Sequence, residues 1–265
     1  LLYSKDVPLS SGNPTGFYPV NVGSILNRGF EASLYGDIFS TRNVQWSWNL
    51  NMSHYRNEIL SLDESIAENG IKGSNYIYKV GGSLYEAYMY RYAGVDSESG
   101  KALYYYKDEE GSMQTTDVFA DADQFECGSV LPKLYGGFGT TLRVHGVDIS
   151  AQFSFQLGGR YYDGTYQALM HTDSSVGSAW HKDVLNSWSP DNPSSDIPRL
   201  DGDISVGQSA VDRFLISSNY LSINNVTIGY TFPQKWMDKL RIAGLRVYFA
   251  ADNLAVASAR KGVDP

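Results

Sequence analysis

Asp148-Ile-Ser-Ala-Gln-Phe-Ser-Phe-Gln156 sets Ile149, Ala151, Phe153 and Phe155 on one side of an extended chain, and Ser150, Gln152, Ser154 and Gln156 on the other. Side chains along a β-strand alternate with a period of two. The stretch therefore predicts a strand with one apolar face and one polar, uncharged face. Its nine residues are close to the roughly 9–11 that cross a membrane at a tilt. A lipid-facing barrel strand has this pattern. A soluble sandwich strand alternates in the same way, so the weight falls on whether the pattern recurs.

It recurs along the chain. Val44 to Tyr55 places Trp46, Trp48, Leu50 and Met52 against Ser47, Asn49, Asn51 and Ser53. Tyr135 to Val144 places Phe138, Thr140, Leu142 and Val144 against Gly137, Gly139, Thr141 and Arg143. Leu245 to Asp252 sets Leu245, Val247, Phe249 and Ala251 against Arg246, Tyr248, Ala250 and Asp252, and Gly29 to Tyr35 sets Phe30, Ala32 and Leu34 against Glu31, Ser33 and Tyr35. In Leu221 to Phe232 the parity slips after Ile223, which predicts a β-bulge at Asn224-Asn225. A half-strand is expected at Leu1 to Ser4 and a helical turn at Gln234 to Leu240.

The connections are of two kinds. Gly36 to Asn43, His145 to Val147 and Pro233 to Gly244 are short. Roughly 80 residues separate Tyr55 from Tyr135, and roughly 60 separate Gln156 from Leu221, far beyond the usual ~12–15-residue limit for a loop without its own structure. Short turns alternating with long loops are the habit of an outer-membrane barrel, whose long loops face the cell exterior. The expectation is an all-β chain, part of a large antiparallel transmembrane β-barrel, with extracellular loops at about 60–132 and 158–218. About six strands cannot close so wide a barrel. Residues 1–265 are thus expected to be the C-terminal portion of a larger barrel, with the plug domain and the last strand absent.

Composition narrows the function classes. A net charge of −8, without a long basic run, disfavours nucleic-acid binding. There are 20 Tyr, 11 Phe and 5 Trp, and Trp and Tyr favour membrane interfaces. No stretch of about 18 apolar residues occurs, so a transmembrane helix is excluded. Cys127 stands alone and pairs with nothing internally. His54, His145, His171 and His181 form no metal-type grouping. With no nucleophile elbow or P-loop either, no catalytic residue, metal ligand or cofactor is expected. Asp201-Gly-Asp203, with Asp191, Asn192 and Asp196 nearby, lacks the EF-hand spacing and reads as an Asp/Gly-rich turn.

Several strings then fit together in order. Asn21-Val-Gly-Ser-Ile-Leu-Asn-Arg-Gly-Phe-Glu31 resembles a run that leads into a late barrel strand of TonB-dependent outer-membrane transporters. Tyr92-Ala-Gly-Val-Asp-Ser-Glu-Ser-Gly100 resembles a segment of the SusC/RagA branch of that family. Pro132-Lys-Leu-Tyr-Gly-Gly-Phe138, Asn219 to Pro233, Asp252-Asn-Leu254 and Lys261-Gly-Val-Asp-Pro265 look like later landmarks of the same branch. The resemblance implies part of a barrel of about 22 strands from a Bacteroidetes-type importer in the cell outer membrane. It also implies TonB-dependent uptake of oligosaccharides, or of peptides, alongside a SusD-like surface lipoprotein. Coupling to the TonB complex would run through the absent N-terminal part, and lipid would cover the outside. The alternatives are a siderophore or cobalamin receptor, and a soluble β-rich carbohydrate-binding module.

Two groups of residues are the functional candidates. Tyr161, Tyr162, Tyr166, Trp180 and Trp188 lie in the second long loop among Gly, Ser, Asp and Asn. That mixture suits stacking on sugars or a protein interface, and a short amphipathic helix is expected at Val176 to Trp188. Glu31, Arg143, Gln152 and Arg246 fall on the polar rows facing the lumen, where they either line a solute path or are simply solvated and paired. His54 is expected solvated at a strand end, and a small outer hairpin is expected between Leu84–Tyr92 and Ala102–Tyr106.

Overall fold

The computed structural model describes residues 2–8, 10, 12–170, 177–200 and 210–259. Along the chain come β1 (Leu2–Asp6), β2 (Phe17–Asn21), β3 (Gly23–Ser40), β4 (Val44–Leu62), α1 (Glu64–Ala67), β5 (Ile71–Lys72), β6 (Ile77–Tyr78), β7 (Glu86–Tyr90), β8 (Tyr92–Val95), β9 (Ala102–Lys107), β10 (Met113–Thr116) and β11 (Gln124–Ser129). The second half holds β12 (Leu134–Val144), β13 (Val147–Leu157), β14 (Arg160–Tyr162), α2 (Gly164–Met170), β15 (Leu215–Ser217), β16 (Tyr220–Thr231), α3 (Gln234–Leu240) and β17 (Arg246–Ser258). The pairings β1–β2, β4–β12, β5–β6, β7–β11, β8–β9, β9–β10, β12–β13, β13–β16 and β16–β17 are antiparallel. The chain divides into two compact units, residues 1–26, 57–130 and 160–216, and residues 27–56, 131–159 and 217–265.

The second unit is built on a six-stranded sheet in the order β17-β16-β13-β12-β4-β3. Register carries the alternation from strand to strand. Leu50 pairs with Phe138, and Phe138 with Phe153. Phe153 pairs in turn with Ile223. Two rows lower on the same face, Trp46, Leu142, Ile149, Ile228 and Phe249 stand in line. A one-residue slip in any strand would move its apolar set to the other face. The slip after Ile223 is absorbed as expected: Asn224 is the extra residue against β13, and the register with β17 shifts at the same place.

Among the described residues much of the apolar row stays exposed. Phe249 is 69% exposed and Val247 57%. Among the described residues, every buried hydrophobic residue but Met237 lies in the first unit. Exposure of so continuous an apolar surface marks an interaction face.

The strands outrun their expected limits. β3 and β4 extend to 18 and 19 residues, because the mixed polar sequence from Arg56 to Leu62 still pairs as strand even though it no longer alternates cleanly. His54 therefore lies well inside β4. Its Nδ1 is hydrogen-bonded to the Lys133 carbonyl at 2.5 Å and its ring packs on Phe30 at 5.5 Å, so it is not a solvated strand end. The turn between β12 and β13 is tighter than expected. Val144 pairs with Val147, leaving His145 and Gly146 as a two-residue turn with φ of 47° and 91°. Paired positive φ values are those of a type I′ hairpin. The helix at Gln234–Leu240 forms as expected and ends at Arg241 in the left-handed region.

The first unit has a conventional core. Ala102, Tyr104, Met170, Val184, Ile197, Val211 and Phe214 form one buried cluster, joined by Tyr90, Tyr92, Phe119, Ala122, Tyr162 and Tyr166. These residues come from both long segments between strands, which fold against each other. The expected hairpin at Leu84–Tyr92 is only partly formed. β8 pairs with β9, whereas β7 pairs with β11. A bulge between Tyr92 and Gly94, together with a φ of 112° at Gly94, offsets the two strands.

Candidate functional site

In the first unit the Tyr92–Gly100 segment forms β8 and the turn into β9. The Asp96 carboxylate accepts hydrogen bonds from the Glu98 N–H at 3.1 Å and the Ser99 hydroxyl at 2.5 Å, while Gly100 N–H donates to the Asp96 carbonyl at 2.8 Å. Those bonds, Ser99's foremost, hold the Asp96 carboxyl below the usual carboxylate range. Gly100 has a φ of 74°, and the Trp188 indole lies where a Cβ would stand, 2.3 Å from its nearest atom. Only glycine fits both conditions. The Trp188 Nε1–H donates to the Ser97 carbonyl at 3.1 Å, so the indole closes the turn from the other long segment.

Tyr92 is held from three sides. Its backbone N–H donates to Asp212 at 2.8 Å, its hydroxyl donates to the Asp196 carbonyl at 3.0 Å, and the Arg213 guanidinium lies 4.9 Å from its ring. Burial pushes the phenol up to about 12. Burial also raises the Asp212 carboxyl, against the lowering effect of the bond from Tyr92 and of nearby Arg91 and Arg160. Asp212 and Arg213 were not singled out in the sequence. They follow an undistinguished Ser-Ala-Val, with no pattern to separate them from other surface charges.

The five aromatic candidates divide by burial. Tyr166 packs in the core, donates its hydroxyl to Asp183 at 2.9 Å and meets the His181 ring edge at 4.8 Å. Tyr162 packs against Phe214, and Trp188 is committed to Gly100. Tyr161 and Trp180 are 46% and 45% exposed. Near Trp180, Leu185 is 89% exposed on a 3-10 turn at Lys182–Asn186. That turn, capped by the His181 ring nitrogen accepting from the Asp183 N–H, stands in place of the amphipathic helix expected at Val176–Trp188, whose first residue is outside the described residues. Ser187 and Ser189-Pro190 break the helical pattern there.

Asp201 and Asp203 lie outside the described residues, as does His171. Asn192 donates its side chain to the Asn186 carbonyl. Among the described residues no group of three His, Cys, Asp or Glu side chains is placed to hold a metal ion.

In the second unit the polar rows are close-packed. Gln45, Arg143, Asp148, Gly229 and Tyr248 stand in register across five strands. Arg246 donates to both Asp148 oxygens, from Nε at 3.1 Å and Nη2 at 2.6 Å. The guanidinium also lies 4.9 Å from the Tyr248 ring. Gln152 lies over Gly139 together with Asn49; a Cβ at Gly139 would stand 2.3 Å from Gln152 Oε1 and 2.6 Å from Asn49 Oδ1. Arg143 stands directly opposite Asp148, and Glu31 is exposed on β3 beside a shallow depression with Arg28 and Tyr135. Of the four polar-row candidates, the structure brings Arg143 and Arg246 together around Asp148 and leaves Gln152 and Glu31 apart. The place of Asp148 just after a short turn, level with Arg143, is visible in the sequence, but which arginine takes its carboxylate is not.

No protein-family model matches the chain. The TonB-dependent receptor P3 of Formosa agariphila is 25% identical over 288 residues, covering 100% of this chain and 27% of that receptor. The TonB-dependent receptor SusC of Bacteroides thetaiotaomicron is 26% identical over 280 residues, again covering 100% of the chain and 26% of the relative. Among solved structures, that of the RagAB peptide transporter superposes with a TM-score of 0.78 at 26% identity, over 99% of this chain and 29% of the other. In its open-open state the RagAB importer gives 0.74 at 25% identity. The chain thus spans little more than a quarter of the length of the proteins it matches.

Proposed function

Because the chain matches SusC/RagA-type TonB-dependent transporters in both sequence and fold, we propose that it supplies barrel wall and outer-loop surface to an outer-membrane nutrient importer. The cargo is an oligosaccharide or a peptide, drawn in by TonB-coupled transport without chemical change. A SusD-like surface lipoprotein delivers it. Residues 1–265 are the C-terminal portion of the barrel, and the segments at about 60–132 and 158–218 lie on the cell exterior.

One observation supports this most. The sheet unit has an unbroken apolar row on one face, a close-packed polar row on the other, and almost no buried apolar core of its own. A soluble sandwich would bury that row under a second sheet. Lipid covers it in a barrel, and the polar row then lines the interior. Glu31, Arg143, Gln152 and Arg246 accordingly face the pore. Tyr161 and Trp180, the two exposed aromatic candidates, make the contact with lipoprotein or cargo, while Tyr162, Tyr166 and Trp188 hold the unit that presents them.

The test uses the full-length protein in its own cell. Deleting its gene should remove uptake of one labelled pool, oligosaccharide or peptide, and the protein should fractionate with the outer membrane. Unchanged uptake of both pools, or recovery in the soluble fraction, would sink the reading.

A further inference from the structure

We propose that the turn end of the polar face binds an oxyanion, a carboxylate or a phosphate, through Arg143 and Arg42. The inference rests on the sheet unit alone and does not depend on what the outer aromatic residues contact. A cavity of about 580 Å³ opens there, lined among others by Arg42, Gln45, Arg143, His145, Asp148 and Arg246. Three arginines and, among the described residues, a single acidic residue, Asp148, line it.

That carboxylate is already engaged. Arg246 takes both of its oxygens in a bidentate pair, the strong planar form of this contact. Arg143 faces Asp148 across the β12–β13 ladder with Gln45 on its other side, and Arg42, in the turn between β3 and β4, lines the same cavity. Two cations are therefore left in excess in a shared concave space. Guanidinium forks fit planar carboxylates and phosphate oxygens better than ammonium groups do, and a concave wall concentrates their field on a bound anion. The Gln45 amide adds a neutral donor. The anion comes either from solution or from a carboxylate elsewhere in the full-length polypeptide; the chemistry is the same.

Full-length protein in detergent micelles would be treated with phenylglyoxal, with and without inorganic phosphate, and modification of Arg42, Arg143 and the exposed Arg241 quantified by mass spectrometry. Arg42 and Arg143 are expected to react about tenfold more slowly than Arg241 when the site is filled. Protection only on adding phosphate identifies a dissolved anion. Protection without it, released by about 1 M NaCl, identifies a carboxylate of the polypeptide. With Arg143→Gln, protection of Arg42 should be lost in either case. Reaction as fast as at Arg241 under all conditions overturns the proposal. So does slow reaction that neither phosphate, salt nor Arg143→Gln changes, which would mark steric cover.

Discussion

Arg246 on β17 reaches across the bare Cα of Gly229 on β16 to hold Asp148 on β13, two strands away. The reach depends on an absent side chain. A Cβ at Gly229 would stand 2.6 Å from Arg246 Nη2 and 2.8 Å from either Asp148 oxygen. The pair is partly exposed, so water screens it and its own contribution to stability is small.

Gly229→Ala should therefore cost more than the ion pair is worth, about 1–3 kcal/mol from overpacking. Asp148→Ala alone should cost about 1 kcal/mol or less. In the Asp148→Ala, Gly229→Ala double variant the clash is relieved, and its cost should fall short of the sum of the two. Urea unfolding of the full-length protein in detergent gives all three values.

Phe153 and its neighbours test the two faces. Phe153 stacks on Phe138 at 4.6 Å in the middle of the apolar row. Phe153→Arg should destabilise by about 2–4 kcal/mol if that row faces the bilayer midplane. Ser150→Arg, on the polar row opposite Thr141 and Thr227, should cost less than about 1 kcal/mol. Equal costs would contradict the assignment of the faces.

A turn locked by an indole makes the next case. Gly100→Ala introduces both a left-handed strain and a Cβ inside the Trp188 ring, and is expected to cost about 2–4 kcal/mol. Trp188→Ala removes the closing indole and should cost about 3 kcal/mol. Both variants should make the first unit more sensitive to limited proteolysis on intact cells.

Exposed aromatic residues should behave in the opposite way. Tyr161→Ala and Trp180→Ala are expected to leave protease resistance unchanged and to weaken lipoprotein or cargo binding about tenfold, or about 1.4 kcal/mol. Titration calorimetry with the purified partner measures this. A loss of stability without a loss of affinity would assign them to packing.

Acidity should act through Asp212. Its carboxyl is raised by burial, so the stability it contributes is present below the unfolded carboxylate range, near pH 4, and is lost as pH rises through the folded value. Asp212→Asn keeps an acceptor for the Tyr92 N–H and removes the buried charge. The variant should melt higher than the parent at pH 7, with the gain vanishing near pH 4. Asp96, Asp108 and Asp117 are held below the usual range by their hydrogen bonds, so they weaken the fold as pH falls. They do so in both proteins, and the difference between the two isolates Asp212.

Much of the sheet was legible because its information is local. Ile149, Ala151, Phe153 and Phe155 declare a face by alternation alone, and the same rule placed the rows of β4, β12, β16 and β17 and the slip at Asn224. Where alternation stops, as from Arg56 to Leu62, the strand continues unseen, since backbone pairing does not require an apolar face. Alternation alone makes the His145-Gly146 turn one residue too long, because Val147 is a strand residue only by virtue of its partner Val144.

The first unit lies at the other extreme. Tyr161, Tyr162, Tyr166, Trp180 and Trp188 share one composition, yet two are exposed and three are built into the unit, and no periodicity separates them. Their difference comes from contacts roughly 90 residues away in sequence, such as Trp188 on Ser97 and Gly100. By itself, then, the sequence determined which side of each strand is apolar, because that property belongs to neighbouring residues. The tertiary structure decided that two long segments make one core, that Asp148 belongs to Arg246, and that Arg143 and Arg42 are left in cationic excess. Those outcomes depend on strand register and on segments meeting in space, which residue order alone does not encode.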